Sequence, residues 1–209
     1  MRIVKGMVFC EDGVFRPLEL EISGAQIAAI RPETATPSGQ ILDAAGCYVV
    51  PGFVDIHIHG AMGADFSDGK PEGFSAMAEF LLRQGVTSFL GTSMALPEER
   101  LSTVFSAART YMEQAGQKGA ALRGIHMEGP FFSPEKRGAQ NPEYIILPDY
   151  AMFERLLVAS GNNIRVIAVA PELEGGLEFI QRASQVVNVS LGHTCADFVT
   201  AQAAFVRGA

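Results

Sequence analysis

The chemistry in this sequence sits in four histidines and one carboxylate, each just after a run of strand-forming residues. They occur as Asp55-x-His57-x-His59, as His126-x-Glu128-Gly129-Pro130, and as Leu191-Gly192-His193-Thr194. On a strand, side chains two residues apart share a face and stand roughly 6.6 Å apart. His57 and His59 can therefore reach one divalent cation above a strand end. Asp55 shares that face and is placed to orient an imidazole or to sit near the metal. A lone His-x-His reads equally well as two histidines packed near a turn. The flanking Pro51-Gly52-Phe53 and Gly60 favour the metal. Glu128 precedes a helix-breaking Gly-Pro, and no basic residue follows it before Lys136. A buried carboxylate without a cation is costly, so a metal is expected there. His126 shares a face with Glu128 and reads either as a partner orienting the ligands or as a satisfied core histidine. His193 ends a strand, after a glycine that permits close approach. Glu128, His193, His57 and His59 are thus the candidate ligands, and the chemistry they point to is metal-activated hydrolysis.

The flanking loops are informative too. Ser133–Pro142 is long and polar, and it reads as a flexible substrate-binding loop. Lys136 and Arg137 are candidates to face an anion, and the Gln140 and Asn141 amides suit sugar hydroxyls or an acyl group. Gly60–Asp65 is glycine-rich but lacks phosphate-loop spacing. His-x-Glu also opens the zinc nucleoside deaminase signature, but the Pro-Cys-x-x-Cys that must follow is missing. Cys195 reads as a small residue at a helix start, not a ligand.

These residues need elements to place them. Residues 1–50 read as a small β unit, with strands at Arg2–Phe9, Leu18–Ile22, Gln26–Ile30 and Cys47–Val50 and turns at Glu11-Asp12-Gly13 and Ser23-Gly24. From residue 51 the pattern alternates. Strands are expected at Phe53–His59, Thr87–Thr92, Ala121–Met127, Ile164–Ala170 and Val186–Leu191. Helices are expected at Gly73–Gln84, Glu98–Ala115, Asp149–Ser160, Glu174–Ala183 and Ala196–Arg207, the first burying Phe74, Met77, Ala78, Leu81 and Leu82. Strand–helix alternation implies parallel strands with right-handed crossovers. Five β/α units fall short of an eight-stranded barrel, which takes about 250 residues. The alternation stops mid-pattern at residue 209, so the expectation is an open five-stranded sheet or the front part of a longer protein.

Composition narrows the classes. A chain of 209 residues, 48% hydrophobic, can bury a core, and a net charge of −7 argues against a nucleic-acid partner. Cys10, Cys47 and Cys195 are odd in number and widely spaced, which fits a reducing cytosol and a cytoplasmic location. No signal peptide or membrane-spanning run is read.

At these motifs the sequence resembles the N-acetylglucosamine-6-phosphate deacetylases, a branch of the amidohydrolase superfamily. The carriers are Pro51–Gly60, Gly85-Val86-Thr87-Ser88-Phe89, Gly124–Phe131, Lys136–Glu143 and Leu191–Thr194, and the likeness covers essentially the whole chain. His-x-Glu-Gly-Pro followed by Lys-Arg-Gly-Ala marks the deacetylase branch; Asp-x-His-x-His alone says only amidohydrolase. The resemblance implies an α/β fold in which residues 51–209 form part of a TIM-type (β/α)8 barrel and residues 1–50 part of a small β-sandwich. It implies a divalent metal, zinc foremost, as one or two ions, and a phosphorylated amino sugar as substrate. Glu128 matches the family's carboxylate ligand, His193 a histidine ligand, and His57 and His59 the pair kept by two-ion members. Ala139 and Gln140 match substrate-contacting positions, where some members carry histidine in place of Gln140. A further histidine ligand on the sixth strand and the catalytic aspartate at the eighth match no residue here. The expectation is the first half of a site, with little or no deacetylase activity alone. The alternatives are another amidohydrolase, dihydroorotase-like or aminoacylase-like, and a non-catalytic metal-binding fragment. An exposed sheet edge would favour a homo-oligomer.

Overall fold

Lys5 and Gly6 split the first expected strand into two. In the computed structural model, which describes residues 1–32, 39–114 and 118–209, Lys5 has φ 63°. A Cβ on Gly6 would lie 2.6 Å from the Val49 side chain, so the chain turns there with glycine. Strands β1 (Arg2–Val4) and β2 (Met7–Phe9) both pair with the long β3 (Phe15–Ser23), antiparallel. β4 (Gln26–Pro32) closes a hairpin on β3, while β5 (Ile41–Asp43) and β6 (Tyr48–Val49) add parallel edges. β5 lies between Pro37-Ser38-Gly39 and Gly46 but is only three residues long, too short for a strand period to show in the sequence. Val4, Val8, Leu20 and Ala44 are buried in this unit. Glu19 is also buried, held by Arg31 Nε at 2.7 Å and by Arg2.

The chain divides into two compact units, Met1–Gly52 and Phe53–Ala209. The second alternates strand and helix. Its strands are β7 (Phe53–Ile58), β10 (Val86–Thr92), β11 (Ala121–Glu128), β12 (Ile164–Val169) and β13 (Asn188–Leu191). They form one parallel sheet in the order β13-β12-β11-β10-β7. The helices are α1 (Pro71–Arg83), α2 (Glu98–Glu113), α3 (Tyr150–Ala159), α4 (Gly176–Ala183) and α5 (Phe198–Val206). Position 115, the expected end of α2, lies outside the described residues. Pro71 opens α1, and the Asp149 carboxylate accepts from the Met152 amide at the start of α3. The architecture is a partial (β/α) barrel.

The period of two in β11 sorts its residues. Ile125 and Met127 join the core with Phe89, Ile167 and Val169. They pack with Phe74, Met77, Ala78 and Leu81 of α1, Phe105 and Ala108 of α2, and Phe153 and Leu156 of α3. His126 and Glu128 take the other face. Leu82 was expected inside but is 48% exposed. It lies roughly 80° around the helix from Phe74, past the edge of the apolar stripe.

One short hairpin escaped the sequence. β8 (Gly60–Ala61) and β9 (Ala64–Asp65) pair through Met62 at φ 57° and Gly63 at φ 77°, the left-handed pair that a two-residue turn requires. It leads into Phe66, whose amide donates to the His59 carbonyl at 2.6 Å. Gly91 leaves the space that the buried Phe66 ring fills. Among the described residues, no helix is long and apolar enough to cross a membrane.

Candidate metal centre

Every candidate ligand comes from the carboxyl end of a parallel strand. Register puts Thr92 beside His126, Gly91 beside Ile58, Glu128 beside Ala168, and Val169 beside Leu191. His57, His59, Glu128 and His193 therefore end up on one rim, where functional groups of β/α barrels gather.

Glu128 is the hub, with its side chain only 7% exposed. His59 Nε2 lies 2.8 Å from its Oε2. His57 Nε2 and His193 Nε2 lie 3.4 and 3.1 Å from its Oε1. The ligand atoms of His57, His59 and Glu128 all fall within 4.8 Å of one another. His193 reaches the same carboxylate without being part of that set.

Backbone carbonyls fix the rings. His59 Nδ1–H donates to the Thr92 carbonyl at 3.2 Å, and His193 Nδ1–H donates to the Lys136 carbonyl at 2.8 Å. A carbonyl only accepts, so the proton must be on Nδ1 and the Nε2 lone pair turns inward in the neutral ring. Phe132 stacks on His193 with centroids 4.3 Å apart. His193 itself has φ 51°, a left-handed backbone rare outside glycine, and its carbonyl accepts from the Ser133 amide.

His126 is placed differently. Its Nδ1–H donates to the Ile56 carbonyl at 2.9 Å, and its ring packs edge-on against His57 with centroids 4.7 Å apart. Its buried Nε2 has no hydrogen-bond partner among the described residues. Burial pushes its pKa down, so it is a neutral imidazole behind His57. Asp55 does not orient a ring; its Oδ1 accepts from the His57 backbone amide at 2.9 Å and steadies the strand end.

Burial works to raise the Glu128 pKa, but the hydrogen bond and charge of His59 outweigh it, with His193 and His57 adding to them. The carboxyl is held at about 2. In turn the hydrogen bond to Glu128 raises the His59 pKa above its usual value. In the Nδ1–H tautomer an imidazole presents its Nε2 lone pair to the carboxylate, an arrangement that needs a cation between them. A divalent cation would satisfy all three imidazoles together. Ligand atoms on a tetrahedral zinc stand about 3.4 Å apart, and the three imidazole-to-carboxylate separations, 2.8, 3.1 and 3.4 Å, are near that. The donor set fits a divalent metal.

The loop after Glu128 is tied down rather than loose. Short 3₁₀ turns occupy Pro134–Lys136 and Pro142–Tyr144. The Gln140 backbone N–H donates to the Arg137 carbonyl. Ala139 is exposed, whereas the Gln140 side chain is buried between Glu128 and the Ala95 amide. Cys195 is exposed, and its backbone amide donates to Glu172. The carbonyls of Thr92, Lys136 and Ile56 were missed because a backbone carbonyl leaves no trace in residue type.

The Amidohydrolase family profile matches residues 48–208. The N-acetylgalactosamine-6-phosphate deacetylase of Escherichia coli O157:H7 is 34% identical over 95% of this chain and 52% of its own length. The N-acetylglucosamine-6-phosphate deacetylase of Bacillus subtilis is 33% identical over 91% of this chain and 49% of its own. The crystal structure of N-acetyl-D-glucosamine-6-phosphate deacetylase from Mycobacterium smegmatis superposes with a TM-score of 0.89 at 30% identity, over all of this chain and 54% of that one. The Pasteurella multocida N-acetylglucosamine-6-phosphate deacetylase gives 0.90 at 29% identity, with the same coverage. The chain spans about half the length of the curated relatives it matches. By the extent of the profile match, the chain belongs to the amidohydrolase family.

Proposed function

We propose that these 209 residues supply the first half of a metal-dependent site that hydrolyses the acetamide of an N-acetylhexosamine 6-phosphate. N-acetylglucosamine 6-phosphate is the leading substrate, with acetate and glucosamine 6-phosphate as products. The single observation that carries this reading is the Glu128 carboxylate, with three imidazole Nε2 atoms turned onto it. His57, His59, Glu128 and His193 hold zinc, as one ion or two. When bound, such an ion supplies Lewis-acid polarisation of an amide carbonyl and acidification of water. The chain's residues fix the ligands: Thr92 and Lys136 through their carbonyls, Phe132 by stacking. Ala139, exposed and next in sequence to Gln140, contacts the substrate. Three cysteines, all thiols, suit a reducing cytosol.

The test joins this chain to the part of the Bacillus subtilis relative that it does not cover. The fusion should release acetate from N-acetylglucosamine 6-phosphate in the presence of zinc, and the 209-residue chain alone should release little or none. A fusion that folds, binds zinc and hydrolyses only dihydroorotate or N-acyl amino acids would overturn the substrate assignment. Full turnover by the chain alone would overturn the half-site.

One observation favours a second reading, a non-catalytic metal-binding protein that self-associates. Phe53, Val54 and Ile56 on edge strand β7 are 61%, 66% and 57% exposed. Sedimentation of the zinc-loaded chain, alongside the fusion assay, separates the two.

Metal uptake should depend on pH with a defined sign. His59 has its pKa raised by Glu128, so it gains a proton as pH falls through that raised value. Zinc must displace this proton. Zinc affinity should therefore be full at higher pH and fall about tenfold per pH unit below the raised pKa. Competition with a chromophoric chelator between pH 5.5 and 8.5 reads this directly, and a flat profile would remove His59 from the ligand set.

A further inference from the structure

Gln140 is buried, 4% exposed, and its amide is committed at both ends. The Ala95 backbone N–H donates to its Oε1 at 2.7 Å. That donor fixes which way the amide points, since a backbone N–H can only face the oxygen. Nε2 is then turned to Glu128 and donates to Oε2 at 3.1 Å. This is the oxygen that His59 Nε2 approaches at 2.8 Å, while Oε1 faces His57 and His193. Ala95 is itself closely packed: it is 2% exposed, and a Cβ on Gly129 would come within 2.9 Å of its own.

We propose that Gln140 is a positioning residue for the metal-binding carboxylate. Through the Ala95 amide it sets the rotation of the Glu128 carboxylate and so decides which oxygen serves which imidazole. The inference rests on the metal-centre reading above and differs from the substrate contact that the family resemblance implies for this position. Both hydrogen-bonding atoms of the amide are already engaged inside the protein, leaving one N–H and one Oε1 lone pair. A neutral amide suits the role, since it donates to the carboxylate at any pH without adding a charge to compete with the cation.

The experiment is zinc affinity of the full chain carrying Gln140→Met, which keeps length and volume but can neither donate nor accept in this way. The zinc Kd should rise about tenfold to a hundredfold, the usual cost of losing a ligand-orienting partner. The visible spectrum of the cobalt-loaded chain should shift, while far-UV circular dichroism stays that of the parent. Should Gln140→Met fail to fold, Gln140→Ala leaves room for a bridging water and should still raise the Kd about tenfold. A folded variant whose Kd and cobalt spectrum match the parent would overturn the positioning role and leave the metal centre standing. A parent chain that takes up no zinc would overturn the metal centre, and the role of Gln140 with it.

Discussion

Replacing Glu128 by alanine is expected to abolish zinc uptake by this chain. The carboxylate is the one group in the centre touched by His57, His59, His193 and Gln140. Without it, the three imidazoles lose the carboxylate on which they converge and the negative charge it brings to a divalent ion. The loss should exceed the hundredfold upper range for ligand-orienting partners, because a ligand itself is removed. Two readouts follow. Calorimetry should show heat of zinc binding for the parent and none for Glu128→Ala. Thermal melting should show zinc stabilisation only in the parent, by about 2.7 kcal/mol when zinc is a hundredfold above the Kd, or roughly 5–10 °C for a chain of this size. The metal-free variant should melt below the metal-free parent, because the fold holds this carboxylate in its charged form and its loss leaves the buried Gln140 Nε2 without its acceptor. A variant with lower apo stability and unchanged zinc affinity would make Glu128 a structural residue.

Much of this organisation is legible in the sequence because it is periodic. β10 and β11 begin and end within a residue of the alternation that marks them, and α1 is announced by Phe74, Met77, Ala78 and Leu81 three and four apart. The site is legible for a related reason: a His-x-His spacing on a strand and a carboxylate before Gly-Pro are local features, and parallel register carries them to one rim without further information. Short strands are less legible. β5 and the β8–β9 hairpin are two or three residues long, too short for a period to show, and they depend on pairing with neighbours. Gln140 is the clearest case at the site. Its amide reads from sequence as a surface polar group suited to a ligand, and only the folded chain shows the Ala95 amide and the Glu128 carboxylate converging on it. The Lys136 carbonyl that orients His193 is equally silent, since any residue at position 136 would supply it.

The two histidine arms should not be equivalent, and replacing them one at a time should show it. His59→Ala is expected to weaken zinc binding by more than about a hundredfold. It removes a member of the cluster in which His57, His59 and Glu128 ligand atoms lie within 4.8 Å of one another, and it removes the closest imidazole to the carboxylate. It also frees Glu128 Oε2 from its strongest partner, leaving only Gln140 on that oxygen. His193→Ala should weaken binding less than His59→Ala does, because His193 meets Oε1 from outside that cluster and the cluster survives its loss. Backbone energetics reinforce the difference. At φ 51°, His193 pays a conformational cost that its stacking on Phe132 and its bond to the Lys136 carbonyl offset. His193→Gly should relieve that cost, so its melting temperature should lie above that of His193→Ala at matched zinc. If the centre holds two ions, the arms separate further: His59→Ala loses one equivalent, His193→Ala loses the other, and metal analysis after dialysis counts them. Equal losses from both substitutions, with one equivalent in the parent, would mean that all four side chains grip a single ion.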